Sequence, residues 1–409
     1  MENFEQMLEQ YAELCIKIGV NIQNKQDLLI LASLDVAPFV RRVARHAYMA
    51  GAKRVYVEWN DDELDKTMFQ LASEEALQEF PEWKAKGYVE MAKEGVALLG
   101  IVSSSPDVLI DVDPSRIATY MSTVAAATKE FADYQIQRKI RWTVIAVPSP
   151  GWATKVFPDL PKESAMEKLW GTIFGINRVG QPEPAEAWKR HMDTLMEKRR
   201  ALNSKEYRKL HYNAPGTKLT IELPLGHEWY GGRSKNQDGI PSVANMPTEE
   251  IFTLPKRDGV NGTVRATKPL SFAGNLIGDF SFTFKDGRIV EFQAERGYEV
   301  LKNLLEMDDG ARYLGEVALV PVDSPISISN LLFYQTLYDE NASCHLAIGR
   351  AYPCFKNVEN MSEGDITAAG ANMSNVHVDF MIGSAEMDID GELADGTMEP
   401  LFRKGKWAN

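Results

Sequence analysis

The sequence predicts an α/β protein: an N-terminal α/β domain with a largely parallel sheet, followed by a C-terminal β-rich α+β domain. Up to about residue 147, apolar strand-like runs alternate with amphipathic helical stretches. After about residue 215, short alternating runs are separated by Gly or Asp turns. The first pattern is typical of βαβ units and the second of antiparallel strands. We therefore predict domains at 1–214 and 215–409.

The elements of the first domain follow one another in βαβ order. Helices are predicted near 37–50, 81–93 and 114–132, and strands at 27–34, 54–59, 96–102, 107–111 and 142–147. Strands joined by helical crossovers lie parallel, so a largely parallel sheet is expected. From about 162 to 211 the pattern is helical, apart from a loop near 181–184, and indicates a helical connector.

The second domain begins after the Asn-Ala-Pro-Gly sequence at 213–216. Strands are predicted near 218–223, 262–266, 276–284 and 288–294, mostly by alternation between turns. Gly231 and Gly232 form too short a glycine cluster for a phosphate loop. The α/β half therefore shows no sequence sign of a nucleotide.

Composition excludes several partners. Asp and Glu number 58 against 45 Lys and Arg, a net charge of −13, which disfavours nucleic acid and anionic membranes as partners. No run approaches the roughly 20 apolar residues of a membrane span, and the start lacks a basic region followed by an apolar run.

Three cysteines without CxxC spacing indicate a reduced compartment, so a cytoplasmic location is expected. Cys344 adjoins His345, but a buried inert thiol is the commoner state.

Ionisable residues in apolar surroundings are concentrated in the second half. His377 and Asp379 are two apart in HVDFMIG, so on a strand both side chains face the same side and can share a cation. A hydrogen-bonded His beside an exposed Asp is the alternative for this pair alone. Glu316 lies between Gly315 and the apolar run VALVP, where a buried carboxylate requires a partner or a metal.

Two further segments complete the candidate site. Glu250 precedes IFTLP, although its neighbour Glu249 is an alternative, and His345 closes a polar stretch that includes Glu340. Mixed nitrogen and carboxylate ligands suit zinc, cobalt or manganese, and a spare carboxylate is what a bridged two-metal site requires. The predicted metal ligands are therefore Glu250, Glu316, His345, His377 and Asp379.

Four motifs make a resemblance specific: NMPTEE, GE before an apolar run, HLAIGRAYP and NVHVDFMIG. In these motifs, and over nearly its whole length, the chain resembles the M29 family of metallo-aminopeptidases. The resemblance implies that the five ligands bind two divalent ions (zinc, cobalt, manganese or magnesium), with Glu316 placed to bridge. It also implies a catalytic role for Tyr352. Glu340 lies in a family-like stretch, and its role as base, ligand or supporting residue stays open.

The resemblance further implies peptide substrates and a homodimer that encloses the active sites in an internal cavity. The predicted reaction is release of N-terminal amino acids through a two-metal-activated water, with Glu340 the candidate proton acceptor and Tyr352 a donor to the oxyanion. The alternative is a metal-dependent phosphoesterase or amidohydrolase that uses the same ligands. A structural calcium site would leave the histidines without a purpose, because calcium prefers oxygen ligands.

Overall fold

The structure, a computed structural model, describes residues 3–272 and 275–408, apart from the side chain of residue 359. Up to residue 205 its elements are α1 (Phe4–Leu14), β1 (Asp27–Ser33), α2 (Ala37–Met49), β2 (Arg54–Asn60), α3 (Asp62–Leu71), α4 (Glu74–Leu77), α5 (Glu82–Lys93), β3 (Ala97–Val102), α6 (Pro114–Ala127), α7 (Lys129–Ile136), β4 (Trp142–Ala146), α8 (Pro150–Val156), α9 (Lys162–Ile176) and α10 (Pro184–Lys205).

Strands predominate beyond residue 205. The elements there are β5 (Lys209–Ala214), β6 (Thr217–Glu222), β7 (Tyr230–Gly231), β8 (Ser234–Lys235), β9 (Pro241–Ser242), β10 (Asn245–Met246), β11 (Ile251–Thr253), β12 (Val260–Arg265), β13 (Leu270–Phe272), β14 (Asn275–Lys285), β15 (Arg288–Arg296), α11 (Tyr298–Leu305), β16 (Leu314–Leu319), α12 (Pro325–Ser329), α13 (Thr336–Asp339), β17 (His345–Gly349), α14 (Glu363–Ala368), β18 (His377–Met381), β19 (Asp388–Glu392), β20 (Met398–Arg403) and β21 (Lys406–Trp407).

The chain divides into two compact units that interleave along the sequence. The first comprises Met1–His191 with Arg233–Pro247, and the second comprises Met192–Gly232 with Thr248–Asn409. The single boundary at 214/215 stays a prediction about which segments fold independently.

The first unit is built on a five-stranded sheet in the order β10-β4-β3-β1-β2. All of its strand pairs are parallel. The runs that form β1 and β3, DLLILAS and ALLGIV, are almost continuously apolar and largely buried. Parallel strands have helices on both faces, which explains why their sequences are apolar throughout. The predicted α/β half with a parallel sheet is confirmed.

Two stretches differ from the sequence prediction. Residues 107–111 form turns, not a strand: the amides of Val108 and Ile110 donate to carbonyls three residues earlier. The end of the predicted helical connector is a strand instead, β5, in which Leu210 and Tyr212 are buried and their neighbours are not. The alternation of buried and exposed residues in β5 is typical of a strand, but it is too short to distinguish in the sequence from the basic helix that precedes it.

The second unit contains two antiparallel sheets. One has five strands in the order β18-β17-β16-β11-β7; the other has nine, in the order β13-β14-β12-β6-β5-β19-β20-β21 with β15 paired to β14. Phe380 of β18 packs against the nine-stranded sheet, its ring centre 5.8 Å from Phe280 and 5.2 Å from Phe282. Burial of each such ring contributes about 1.5–3 kcal/mol. The β-rich second half is also confirmed, and this packing leaves the opposite face of β18 free for polar residues.

None of the helices in the described part of the chain combines the length and the apolar character that a membrane crossing requires.

Candidate metal centre

The register of three neighbouring strands places four of the five predicted ligands on one face of the five-stranded sheet. Glu316 of β16 lies opposite Ala347 of β17, which lies opposite Asp379 of β18. His345 and His377 are each two residues from a member of this row, so they share its face. Directly opposite residues of antiparallel strands point the same way. The pairing therefore brings four of the five ligands together.

A β-bulge sets the position of Glu316. The register of β16 against β17 shifts between Leu314 and Glu316, which leaves Gly315 as the extra residue. A Cβ atom at Gly315 would lie 2.3 Å from the carbonyl oxygen of Arg350, so only glycine fits without displacing the backbone. Bulges commonly re-aim a side chain beside an active site. Here the bulge turns Glu316 towards the two histidines.

Glu250, Glu316 and His345 form a compact group of possible metal donors. One ligand atom of each lies within 4.8 Å of the others. His345 Nε2 is 3.3 Å from Glu250 Oε2 and 3.5 Å from Glu316 Oε1. A cation with nitrogen and oxygen ligands at about 2.1 Å in tetrahedral array separates its donors by about 3.4 Å. The residues present therefore fit a divalent cation.

Glu316 also faces a second imidazole with its other oxygen. His377 Nε2 lies 3.8 Å from Glu316 Oε2 and 3.4 Å from Asp379 Oδ1. One carboxylate thus has an oxygen towards each histidine, and each histidine has a further carboxylate of its own. This arrangement is chemically capable of holding two cations side by side.

Backbone carbonyls orient both imidazoles. His345 Nδ1 lies 3.2 Å from the Ser343 oxygen, and His377 Nδ1 lies 2.7 Å from the Arg350 oxygen. A carbonyl oxygen only accepts hydrogen bonds, so each Nδ1 donates its proton. In the neutral ring Nε2 then carries the lone pair, which is the state a metal ligand requires.

The cluster is electrostatically crowded. Burial, followed by the Asp379 and Glu250 carboxylates, raises the pKa of Glu316 against the opposing effect of His345. Burial lowers the pKa of His377, but Asp379 and Glu316 more than offset it and raise that pKa to about 10. The pKa of His345 is raised well above its usual value in the same way, chiefly by Glu250 and Glu316. An excess of carboxylates with little access to water is an environment that a divalent cation neutralises.

Asn341 is a supporting residue that the sequence did not single out. Its side chain is fully buried, and its Oδ1 accepts a hydrogen bond of 2.7 Å from the backbone amide of Glu249. Its Nδ2 donates to the Leu337 carbonyl at 3.2 Å and to Glu340 Oε1 at 3.3 Å. Asn341 therefore ties the segment of Glu250 to that of Glu340. Its place beside Glu340 was the only sequence signal.

Tyr352 lies in the loop after β17, and 40% of the residue is exposed. Its ring meets the ring of Phe252 edge-on, with 6.2 Å between centres. Phe252 pairs with Ala318, which pairs with His345, so Phe252 is on the ligand face of the sheet. The contact therefore places the Tyr352 ring on the same side as the candidate ligands.

Cys344 is enclosed by backbone despite its neighbour His345. Its Sγ lies 3.4 Å from both the amide and the carbonyl of Val320, and burial raises its pKa to about 11. Cys15 and Cys354 are buried as well.

We expect an aromatic disulfide reagent near pH 8 to label none of the three thiols in the native protein and all three after denaturation, because only the exposed thiolate reacts. Rapid labelling of Cys344 in the native protein, located by peptide mapping, would contradict this assignment.

Comparison with known proteins identifies the family. A family model described as thermophilic metalloprotease (M29) matches residues 4–407. The chain belongs to the M29 family. It is 52% identical over 411 residues to Aminopeptidase 2 of Geobacillus stearothermophilus, covering 100% of this chain and 99% of that protein. It is 41% identical over 408 residues to Aminopeptidase T of Thermus thermophilus, with 100% of both chains covered.

A solved structure agrees with these relatives. Wild-type AmpT from Thermus thermophilus superposes with a TM-score of 0.93 over 99% of this chain and 100% of that chain, at 41% identity. The resemblance inferred from the four motifs is confirmed, as is the prediction of a metalloprotease enzyme. Use of a divalent metal follows from the family and agrees with the donor group around His345.

Proposed function

We propose that this M29 protein is an aminopeptidase that releases N-terminal amino acids from peptides at a site for two divalent ions. The observation that carries the proposal is Glu316, which directs one oxygen to His345 and the other to His377. Glu250 and Asp379 complete the two donor groups. The names of the M29 relatives support the reaction, since Aminopeptidase 2 and Aminopeptidase T are both named aminopeptidases.

Each donor group has a defined membership. Glu250, Glu316 and His345 would hold one ion, and Glu316, His377 and Asp379 the other; zinc, cobalt, manganese and magnesium are the candidates. Ions held there supply Lewis-acid polarisation of the scissile carbonyl and lower the pKa of water. The protein itself orients the imidazoles through the Ser343 and Arg350 carbonyls.

Tyr352 and Glu340 are the residues proposed to act on the substrate. The phenol of Tyr352 would donate a hydrogen bond to the oxyanion that develops on the scissile carbonyl. Glu340 would accept a proton from the attacking water, and its other predicted roles, metal ligand or supporting residue, stay open. It is a partly buried carboxyl group beside Asp379.

The test is hydrolysis of a panel of aminoacyl-arylamides by the purified protein. We expect activity to disappear after chelation, to return with zinc, cobalt, manganese or magnesium, and to be absent in a His377→Ala variant. His211→Ala is the matched control, since His211 pairs with Glu392 on the nine-stranded sheet. A correctly folded protein that cleaves no arylamide with any metal would rule out the aminopeptidase.

Tyr352→Phe isolates the phenol. We expect kcat to fall about 100-fold or more with KM little changed, because loss of one oxyanion donor typically has that effect. Metal content and thermal stability should match the wild type. Tyr298→Phe is the control, a similarly exposed tyrosine whose ring stacks on Phe292. An unchanged kcat in Tyr352→Phe would leave Tyr352 a packing residue only.

No observation favours a phosphoesterase or amidohydrolase, since the family is one of proteases. The homodimer with an internal cavity and the cytoplasmic location stay predictions from the resemblance and the composition.

A further inference from the structure

Asn372 lies fully buried in the segment that precedes β18. Its Nδ2 donates hydrogen bonds of 2.8 Å to the Gly310 carbonyl and 2.6 Å to the Gly349 carbonyl. Its Oδ1 accepts a hydrogen bond of 3.1 Å from Arg257 Nε, a group that can only donate. Both hydrogens of the amide nitrogen are therefore used, and the partners fix the orientation of the amide group.

The backbone of Asn372 contacts the same end of β17. The amide of Ala351 donates to the Asn372 carbonyl at 2.9 Å, and the amide of Arg350 donates to the Val376 carbonyl at 2.7 Å. Asn372 thus bonds to the peptide group before Arg350 through its side chain, and to the peptide group after Arg350 through its backbone.

The peptide group after Arg350 also orients an imidazole. Its carbonyl, that of Arg350, accepts the 2.7 Å hydrogen bond from His377 Nδ1. Its amide, that of Ala351, is the one that donates to Asn372. A trans peptide group is planar, with its C=O and N–H bonds in opposite directions. Fixing the amide therefore fixes the direction of the carbonyl, and through it the ring of His377.

The partners of the Asn372 side chain are themselves held in place. Arg257 also donates to Asp309 Oδ2 at 2.8 Å, and its guanidinium carbon lies 3.9 Å from the ring centre of Tyr313. The carbonyl of Tyr313 in turn accepts a hydrogen bond of 2.8 Å from the Gly349 amide. The Asn372 side chain is therefore anchored by residues that do not belong to the candidate ligand set.

We propose that Asn372 is a positioning residue of the metal centre: it holds the peptide group after Arg350 so that His377 presents Nε2 to a divalent ion. The inference rests on the proposed two-ion aminopeptidase site and extends it to a residue outside the ligand set. His345 is oriented by a different carbonyl, that of Ser343. Loss of the Asn372 side chain should therefore weaken the donor group of His377 and spare that of His345.

Zinc titration of the metal-free protein tests this assignment without catalysis. Calorimetry compares the wild type, Asn372→Ala, His377→Ala and the double variant. We expect Asn372→Ala to weaken the zinc binding that depends on His377 by about tenfold, as residues that support metal ligands commonly do. In the His377→Ala background the same substitution should change the remaining zinc affinity by less than about twofold, since independent sites do not couple.

Asn177→Ala is the matched control. Asn177 is also fully buried, and its Nδ2 donates to the carbonyl of Ile173 in α9 at 3.0 Å. We expect it to lower the thermal midpoint, as Asn372→Ala should, and to leave zinc binding as in the wild type. If Asn372→Ala lowered only the thermal midpoint, or weakened zinc binding equally in both backgrounds, Asn372 would be a structural residue and the inference would be overturned.

Arylamide hydrolysis gives a second readout. Weaker metal binding predicts that Asn372→Ala requires about tenfold more of the activating metal for half-maximal activity and approaches the wild-type kcat at saturation. A kcat that stays low at every metal concentration, with unchanged half-saturation, would contradict the positioning role.

The proposed function and this inference fail in different ways. Absence of arylamide cleavage in the wild type overturns the function, whereas the zinc titrations of the four proteins still decide the role of Asn372. Should Asn372→Ala fail to fold, Arg257→Leu removes the donor to Asn372 Oδ1 from a partly exposed position. The same titration should then show a smaller loss of zinc affinity that again requires His377, and the absence of any loss would overturn the inference.

Discussion

Replacement of Glu316 by Gln is expected to lower kcat/KM on aminoacyl-arylamides by more than about 100-fold, because even residues that only support metal ligands are worth 10–100-fold. The amide keeps the volume of the carboxylate but is neutral, so it cannot bridge two cations. In the metal-free protein the fold should persist, since burial and the neighbouring carboxylates already raise the pKa of Glu316 and disfavour its charge. Metal content and thermal midpoint are measured beside activity.

Glu249→Gln is the matched control for this substitution. Glu249 and Glu316 are both buried, but it is Glu316, together with Glu250, that lies within 3.5 Å of His345 Nε2. We expect Glu249→Gln to retain most of the activity and the full metal content. If Glu316→Gln retained its activity and its metal content, the bridging role would be contradicted. If Glu249→Gln lost activity and metal, the ligand would be Glu249 in place of Glu250.

Gly349→Ala is expected to reduce the free energy of unfolding by more than about 2 kcal/mol, the range for a strained backbone with a steric clash. Gly349 has φ of 100°, which side chains rarely adopt, and a Cβ would lie 2.1 Å from the Val376 carbonyl oxygen. Gly349 also pairs with His377 across β17 and β18. Separation of these strands should therefore remove activity as well. Urea unfolding and arylamide hydrolysis measure the two effects.

Gly87→Ala is the control for the same chemical change. Gly87 lies in α5, where no atom other than those of the helix's own nearby backbone and adjacent residues approaches within 4 Å of a new Cβ. Alanine in a helix interior is expected to stabilise by about 0.5–1 kcal/mol relative to glycine. A Gly349→Ala variant as stable as the wild type would mean that β17 and β18 tolerate the displacement and that the register does not hold His377 in place.

The fold was largely predictable wherever one hydrophobic pattern continued over a whole strand or helix. The strands predicted at 27–34, 54–59, 96–102 and 142–147 agree with β1, β2, β3 and β4 to within one or two residues. Prediction failed in short stretches, at 107–111 and at the start of β5. Four or five residues contain too few repeats of a period for local sequence to decide between turn, helix and strand.

The candidate site was predictable in part. The spacing of His377 and Asp379 indicated that both side chains lie on one face of a strand, and the pairing of β18 with β17 agrees. Local sequence could not choose between Glu249 and Glu250, because both precede the same apolar run. The choice depends on where β11 begins beside β16, a long-range pairing. Asn341 was missed for the same reason, since the partner that connects it to the ligand segment, the amide of Glu249, lies 92 residues away in the chain.

The sequence by itself determined which segments form strands or helices along most of the chain, the acidic net charge of the protein, and which residues could bind a metal. These properties are local, because they follow from periodicity, composition and motif spacing. The tertiary structure decided the rest: Glu316 between two imidazoles, the carbonyls that orient them, and a pocket that combines Leu270 with Met381. Apart from the Ser343 carbonyl beside His345, these contacts join residues far apart in the chain, and strand register and the bulge at Gly315 fix them only once the sheets have formed.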